Sequence, residues 1–140
     1  MAGEKKSLED RIKEEMTVNY HDALEKNFEL AKELIAITPE GKVSLRKSAG
    51  LGGEDRILLY LVGKVYSKKA GFAEDEKVAN EELMNELGVK EGSLFAWLKF
   101  LRDKNLIKNV MRGNLVYHYI TPNHIERVLN EISKKVKKGE

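Results

Sequence analysis

Apolar residues in the first quarter of the chain recur at intervals of three and four, a spacing that puts them on one side of an α-helix. The stripe that they form has eight members: Leu8, Ile12, Met16, Tyr20, Leu24, Phe28, Ala31 and Ile35. Ser7 and Asp10 are spaced to cap its first turn, so the pattern predicts helix over residues 7–36. The weak helix formers at 17–19, where Asn19 is positioned to cap a second helix, leave open whether this is one helix or two.

Turn-forming residues separate this stripe from the next helical pattern. Residues 37–53 contain a proline and several glycines, which predict turns, and the alternation at 43–45 predicts a short strand between them. The run at 57–66 is apolar on nearly every side and predicts a helix that other elements must cover. We therefore expect an N-terminal helical extension with its linker over residues 1–50, and a second domain over residues 51–140.

The C-terminal part alternates helical and extended patterns. Gly88 lies between two helical patterns and is the residue type that favours a left-handed turn. Two β-rich runs, 106–111 and 115–120, flank Arg112-Gly113-Asn114 and predict a hairpin. The expected order is a helix capped by Asn80 and ending at Leu87, a helix opened by Gly92-Ser93 and ending near Lys104, the hairpin, and a last helix with Pro122 in its first turn.

This order of elements, over residues 54–125, resembles the winged helix-turn-helix family of archaeal and bacterial transcriptional regulators. The apolar residues with which that family locks two helices together correspond here to Leu83, Leu87, Val89, Leu94, Leu98 and Leu101. Asn105-Leu106-Ile107 stands where the family commonly has Gly-Leu-Ile, and Asn also adopts the left-handed conformation. The resemblance implies a mainly α fold with a small β-hairpin wing, that is, a winged helix-turn-helix with an N-terminal helical extension.

The resemblance also implies a DNA-binding protein that regulates transcription, with helix 92–104 in the major groove of double-stranded DNA and the wing at 108–118 beside it. Polar side chains suit phosphates and base edges, and apolar ones suit thymine methyl groups. The expected DNA contacts are Lys90, Ser93, Phe95, Ala96, Lys99, Lys108, Arg112 and Asn114, with His118 as a further residue of the wing. The alternative for each Lys and Arg is an ordinary solvated charge.

Three aromatic residues on the same helix favour a second hypothesis. Soluble proteins rarely expose an apolar patch as large as Phe95, Trp97 and Phe100 would form together. These side chains either pack inside the chain, on the last helix or under the N-terminal helix, or they bind a protein partner. The alternative function is thus a protein–protein interaction module inside a larger complex, and the acidic residues Glu91 and Asp103 on the same helix favour it.

The N-terminal stripe raises the same question of what covers it. One possibility is a homodimer formed through the N-terminal helix, which would suit a palindromic DNA site with half-sites about 34 Å apart. The other is that the helix packs on its own domain, against Leu58, Leu59 and Val62. We expect the homodimer.

The amino-acid composition excludes some classes of protein and favours others. The absence of cysteine excludes disulfide bonds, thiolate zinc sites and a cysteine nucleophile, and favours the reducing cytoplasm. No apolar run approaches the length of a membrane span, so we expect no membrane partner. Glutamine is absent while Lys and Glu abound, a composition typical of thermophiles. The 25 basic and 23 acidic residues nearly balance, with the basic excess in the C-terminal part.

The sequence offers no pattern typical of an enzyme. Its three histidines, His21, His118 and His124, lack the spacing of metal ligands, and no nucleophile lies in a motif with a base. The glycine-rich segment 50–53 lacks the Lys and Ser or Thr of a phosphate-binding loop. We expect no catalytic activity, no metal and no cofactor.

Overall fold

The structure, a computed structural model, describes residues 6–139. It is mainly helical, with two small antiparallel sheets, one near each end of the chain. Within these residues, no helix has both the length and the apolar character needed to cross a membrane.

The first predicted helix is broken in the structure. Helix α1, Leu8–Arg11, continues as a π-helical turn, Ile12–Met16, and the chain is then extended at Thr17 and Asn19. Helices α2, Tyr20–Lys26, and α3, Phe28–Leu34, follow. The predicted caps are confirmed, because Ser7 Oγ accepts a hydrogen bond from the Asp10 amide at 3.1 Å and Asn19 Oδ1 accepts one from the Asp22 amide at 2.9 Å.

The prediction that the helix continues through Ile35 and Ala36 is wrong. Strand β1, Ile35–Ile37, begins where α3 ends and pairs in antiparallel register with β2, Val43–Leu45. The β-branched residues at 35 and 37 suit this pairing, and the cross-strand hydrogen bonds replace those of another helical turn. The strand predicted at 43–45 is confirmed.

Helix α4, Gly53–Lys69, is the centre of the molecule. Its side chains from Ile57 to Val65 are all buried, as the apolar run predicted. The only charged residue among them is Lys64, whose Nζ donates hydrogen bonds to the Gly41 carbonyl and to Glu82 Oε2, each at 2.7 Å. Tyr60 donates to the same Glu82 oxygen at 2.6 Å, so α4 joins the first sheet to the helix that carries Glu82.

The C-terminal elements follow the predicted order. They are β3, Val78–Ala79; α5, Asn80–Leu87; α6, Glu91–Asp103; β4, Ile107–Arg112; β5, Leu115–Ile120; and α7, Pro122–Gly139. The second sheet has the order β3-β5-β4. Gly88 and Asn105 have the expected positive φ angles, 65° and 60°. The prediction that Asn80 caps α5 is wrong, because Ala79 is the N-cap and the Asn80 side chain bonds His118 instead.

The segments on either side of residue 50 share one hydrophobic core. Leu24, Ala31 and Leu34 are buried together with residues of α4 and α7. Tyr20 donates a hydrogen bond to the Ile120 carbonyl, and Tyr66 donates one to the Leu24 carbonyl at 2.7 Å. The second half of the N-terminal stripe is therefore covered by its own chain.

The first half of that stripe is not covered. Leu8, Ile12 and Met16 retain 71%, 44% and 77% of their surface, and no residue from 8 to 16 is buried. The apolar stripe thus divides at the extended residues 17–19 into a packed half and an exposed half.

Candidate nucleic-acid interface

Helix α6 is fixed by one apolar face. Leu94, Leu98 and Leu101 are at most 1% exposed and lie three or four residues apart, so they form a single buried edge. The left-handed turn at Gly88 ends α5 and lets the chain reverse into α6. The buried edge determines which side of α6 faces solvent.

The solvent-facing side of α6, here called the outer face, consists of Ser93, Ala96, Lys99, Phe100 and Asp103. It brings together three of the predicted DNA contacts, Ser93, Ala96 and Lys99. Lys99 is paired with Asp103 at 2.9 Å, and both side chains are mostly exposed. An exposed pair of this kind contributes little stability, so it leaves Lys99 free to exchange partners.

Phe95 lies at the edge of the outer face of α6 that borders the hairpin. With Asn109, Val116 and His118 it lines a cavity of about 210 Å³ between α6 and the sheet. Its ring remains 48% exposed. Because residues four apart are neighbours on a helix surface, Phe95 lies beside Lys99 as well as beside the hairpin.

The other two aromatic residues of α6 have different environments. The Trp97 indole packs directly on the backbone at Gly53, where an added Cβ would lie 2.3 Å from the ring. Trp97 was expected to pack on the last helix or under the N-terminal helix, and its contact at the start of α4 was not predicted. Phe100 is 45% exposed, with Lys104 Nζ 4.4 Å from its ring centre. Phe100 is therefore available to a partner and Trp97 is largely engaged.

Lys108 and Arg112 lie on the face of the hairpin that does not pack against α6. In the register of β4 and β5, Arg112 is opposite Leu115 and Lys108 is opposite Tyr119, whereas Asn109 is opposite His118. Cross-strand partners lie on one face of a sheet and neighbours in sequence on opposite faces. Because Asn109 and His118 face α6, Lys108 and Arg112 face the other way. At the turn of the hairpin, Asn114 and Leu115 line a cavity together with Glu91 and Phe95 of α6.

Arg112 is also engaged by its own chain. Its Nη1 lies 2.6 Å from Asp75 Oδ2, and its guanidinium lies 5.3 Å from the Tyr117 ring centre. Burial alone would raise the pKa of Asp75, but hydrogen bonds with Glu76 and Arg112 and the charge of Lys77 hold that pKa well below its ordinary value. Asp75 is thus a carboxylate at neutral pH. Asn114 is exposed in the turn beside Arg112, and Lys108 is exposed without an ion pair in residues 6–139.

His118 is a buried residue, so its suggested role as a wing contact is wrong. It is 1% exposed, and its Nε2 lies 2.6 Å from Asn80 Oδ1. Burial, and secondarily the charge of Arg102, lower the pKa of His118 to about 4. The ring is therefore neutral at pH 7, and the Asn80 carbonyl oxygen accepts a hydrogen bond from Nε2.

Sequence reasoning missed several residues of this region. Asp75 comes from the loop before β3, 37 positions from Arg112, and no local pattern joins the two. Lys104, beside the outer face of α6, adds an exposed cation that was not among the predicted contacts. The two faces of the hairpin could have been predicted. Side chains alternate along a strand, so Lys108 and Arg112 lie on the face opposite to Ile107, which is buried.

No set of three His, Cys, Asp or Glu side chains in the described part of the chain is arranged to hold a metal ion. Comparison of the chain with protein-family models, with curated proteins and with solved structures finds no match. Its function must therefore be inferred from the geometry and chemistry of its own residues.

Proposed function

We propose that this chain is a winged helix-turn-helix protein that binds double-stranded DNA as a transcriptional regulator. The observation that carries the proposal is the exposure of one whole side of α6, which a tight turn joins to α5 and an antiparallel hairpin follows. This is the arrangement that helix-turn-helix proteins use to insert a helix into the major groove. In the proposal, Ser93, Ala96 and Lys99 contact base edges or phosphates.

The distribution of charge supports contact with phosphates. Lys90 and Lys104 are exposed at the two ends of α6, and neither forms an ion pair in the part of the chain that the structure describes. Lys99 between them has only an exposed partner. In the complex, Arg112 exchanges Asp75 for a phosphate, while Lys108 and Asn114 add contacts from the hairpin. Several phosphate contacts make binding steeply dependent on salt.

The experiment is fluorescence anisotropy of a random-sequence DNA duplex titrated with protein at about 50 and 200 mM salt. We expect Lys99→Ala to weaken binding and to lower the slope of log affinity against log salt by about one unit. Lys26→Ala is the matched control, since Lys26 is similarly exposed and pairs with Glu126 at 3.0 Å as Lys99 pairs with Asp103. Absence of binding at the lower salt would contradict the proposal.

A second candidate function rests on the exposed apolar residues near α6. Phe95 and Phe100 keep nearly half of their surface, and Met111 and Leu115 of the hairpin keep 66% and 57%. Glu91 and the other acidic groups nearby are unfavourable for DNA. Aromatic anchors inside a rim of mixed charge are typical of protein–protein interfaces. Phe95 and Phe100, with exposed apolar residues of the adjoining hairpin, would then bind a protein inside a larger complex.

A photo-crosslinking amino acid at position 100 distinguishes the two candidates. The same replacement at Phe72, which is 44% exposed in the loop after α4, is the control. Crosslinks to DNA from position 100 alone support the regulator. Crosslinks from position 100 to one discrete protein, without DNA, support the interaction module.

A further inference from the structure

The helical segment 8–16, α1 with its π-helical turn, has no packing against the rest of the chain and is held only by the Ser7 cap and exposed ion pairs. It is nine residues long and none of its side chains is buried. Isolated helices shorter than about 12 to 15 residues are marginal in water, and helices in proteins are stabilised mainly by packing of their apolar side. Segment 8–16 therefore needs an apolar surface on which to lay Leu8, Ile12 and Met16.

The chain carries such a surface elsewhere. A groove of about 440 Å³ lies between α2, the start of α3 and the end of α4, and its floor is formed by Leu24, Phe28, Ile37, Tyr66 and Ala70. Phe28 is 50% exposed there, with its ring 6.4 Å from that of Tyr66. The groove is thus an open apolar site, and an amphipathic helix with anchors at spacing four is a fitting occupant.

A chain cannot fill its own groove with segment 8–16. His21, Leu24 and Glu25 line the groove, whereas Thr17 and Val18 lie against Asp22, Ala23 and Lys26 in a separate cavity. At 3.6 residues per turn, these two sets of α2 residues lie on opposite sides of the helix. The three residues 17–19 span about 10 Å at most, which is about the diameter of the helix that they would have to pass around.

Charge also favours a second copy as the occupant. Segment 8–16 carries four acidic residues, Glu9, Asp10, Glu14 and Glu15, against two basic ones, Arg11 and Lys13. Lys69 lines the groove and forms no ion pair within residues 6–139. Glu25 also lines the groove, but its carboxylate lies 3.2 Å from His21 Nε2, so Lys69 is the charged group left there for the acidic segment.

We propose that two copies of this chain form a dimer in which segment 8–16 of each lies in the groove of the other. The arrangement is two-fold symmetric and uses each contact twice. Because the contact occurs twice, the total buried area is twice that of one nine-residue helix, which brings it towards the roughly 1,600 Å² that a stable interface buries. The proposal concerns a surface away from α6, so it does not rest on DNA binding and its test is independent of that function.

The test is sedimentation equilibrium of the full chain at protein concentrations up to about 200 µM, with one variant on each side of the contact. The wild type is expected at twice its 16.0 kDa. Ile12→Glu changes the helix and Ala70→Glu changes the groove; both residues are exposed in the single chain, so both variants are expected to fold. Each variant is expected to weaken the dimer by about 100-fold or more, because the change occurs twice. Met111→Glu, at an exposed hairpin position, is the matched control and stays dimeric.

Mixing the two variants tests reciprocity. A pair of Ile12→Glu with Ala70→Glu keeps one intact helix and one intact groove, so the mixture is expected to dimerise more tightly than either variant alone. A wild-type protein that is monomeric at the highest concentration would overturn the proposal. A dimer unaffected by Ala70→Glu would do so too, because it would show that the helices pair with each other and leave the groove empty.

Discussion

At the scale of single residues, the contact between Trp97 and Gly53 sets how α6 lies on α4. An added methyl group at Gly53 would overlap the indole, so Gly53→Ala is expected to destabilise the protein by about 1–3 kcal/mol through forced displacement of the ring. Gly52→Ala is the matched control, since its nearest neighbouring atom would be 3.6 Å away. Urea denaturation measures both variants, and Trp97, the sole tryptophan, reports through its fluorescence. Equal stabilities of the two variants would contradict this account.

His118 gives the stability of the protein a pH dependence. Its pKa is about 4 in the folded protein and 6.5 when unperturbed, so between these values the unfolded chain binds the proton more readily. The free energy of unfolding therefore includes the full contribution of neutral His118 above about pH 6.5 and loses it as the pH falls towards 4. The separation of the two pKa values corresponds to about 3 kcal/mol.

Denaturation of His118→Gln and of wild type across this pH range checks that expectation. The variant should lack the part of the slope that His118 supplies. Identical slopes for His118→Gln and wild type between pH 4 and 6.5 would be incompatible with a buried neutral ring.

At the scale of elements, the hairpin is tied to the loop before β3 through Arg112 and Asp75. In the proposed DNA complex this ion pair competes with a phosphate. Asp75→Asn is therefore expected to raise DNA affinity several-fold, while the number of phosphate contacts, and with it the salt slope, stays unchanged. Anisotropy titrations measure both quantities. Glu40→Gln removes the same charge from an exposed position outside both proposed surfaces, and an equal gain from it would show that only net charge matters.

Elements whose cause is local were predictable from the sequence. Gly88 and Asn105 adopt the left-handed conformation that their residue types permit, and the hairpin turns at Gly113-Asn114. Elements that depend on distant partners were not. Ile35 continued a helical spacing, yet its strand exists because residues 43–45 pair with it. Asn80 was predicted to cap α5, but its side chain forms a hydrogen bond with buried His118, which lies on a strand far along the chain.

The candidate site shows the same division. The period of α6 was sufficient to bring Ser93, Ala96 and Lys99 onto one face. The sequence pattern could not predict that Asp75 pairs with Arg112, because an ion pair between distant segments depends on how the loop before β3 packs. Nor could it assign Trp97 to Gly53, since that contact arises from the packing of α6 on α4.

At the scale of the whole molecule, the two proposed contacts lie on two separate surfaces. The outer face of α6 and the hairpin form the proposed DNA-binding side, and segment 8–16 with its groove forms the proposed dimer contact. A third feature, at the C-terminal end, would also contribute to the measured affinity for DNA. The exposed lysines at the end of α7, Lys134, Lys137 and Lys138, would attract DNA through charge alone and would give salt-dependent binding without any role for α6.

The most direct test of the central claim is therefore a map of contacts. Amide chemical shifts of the isotope-labelled protein would be followed as duplex DNA is added at about 50 mM salt. We expect the largest changes between Lys90 and Lys104, followed by the hairpin turn around Asn114. Changes confined to the end of α7, with α6 unaffected, would contradict the claim that this helix binds DNA.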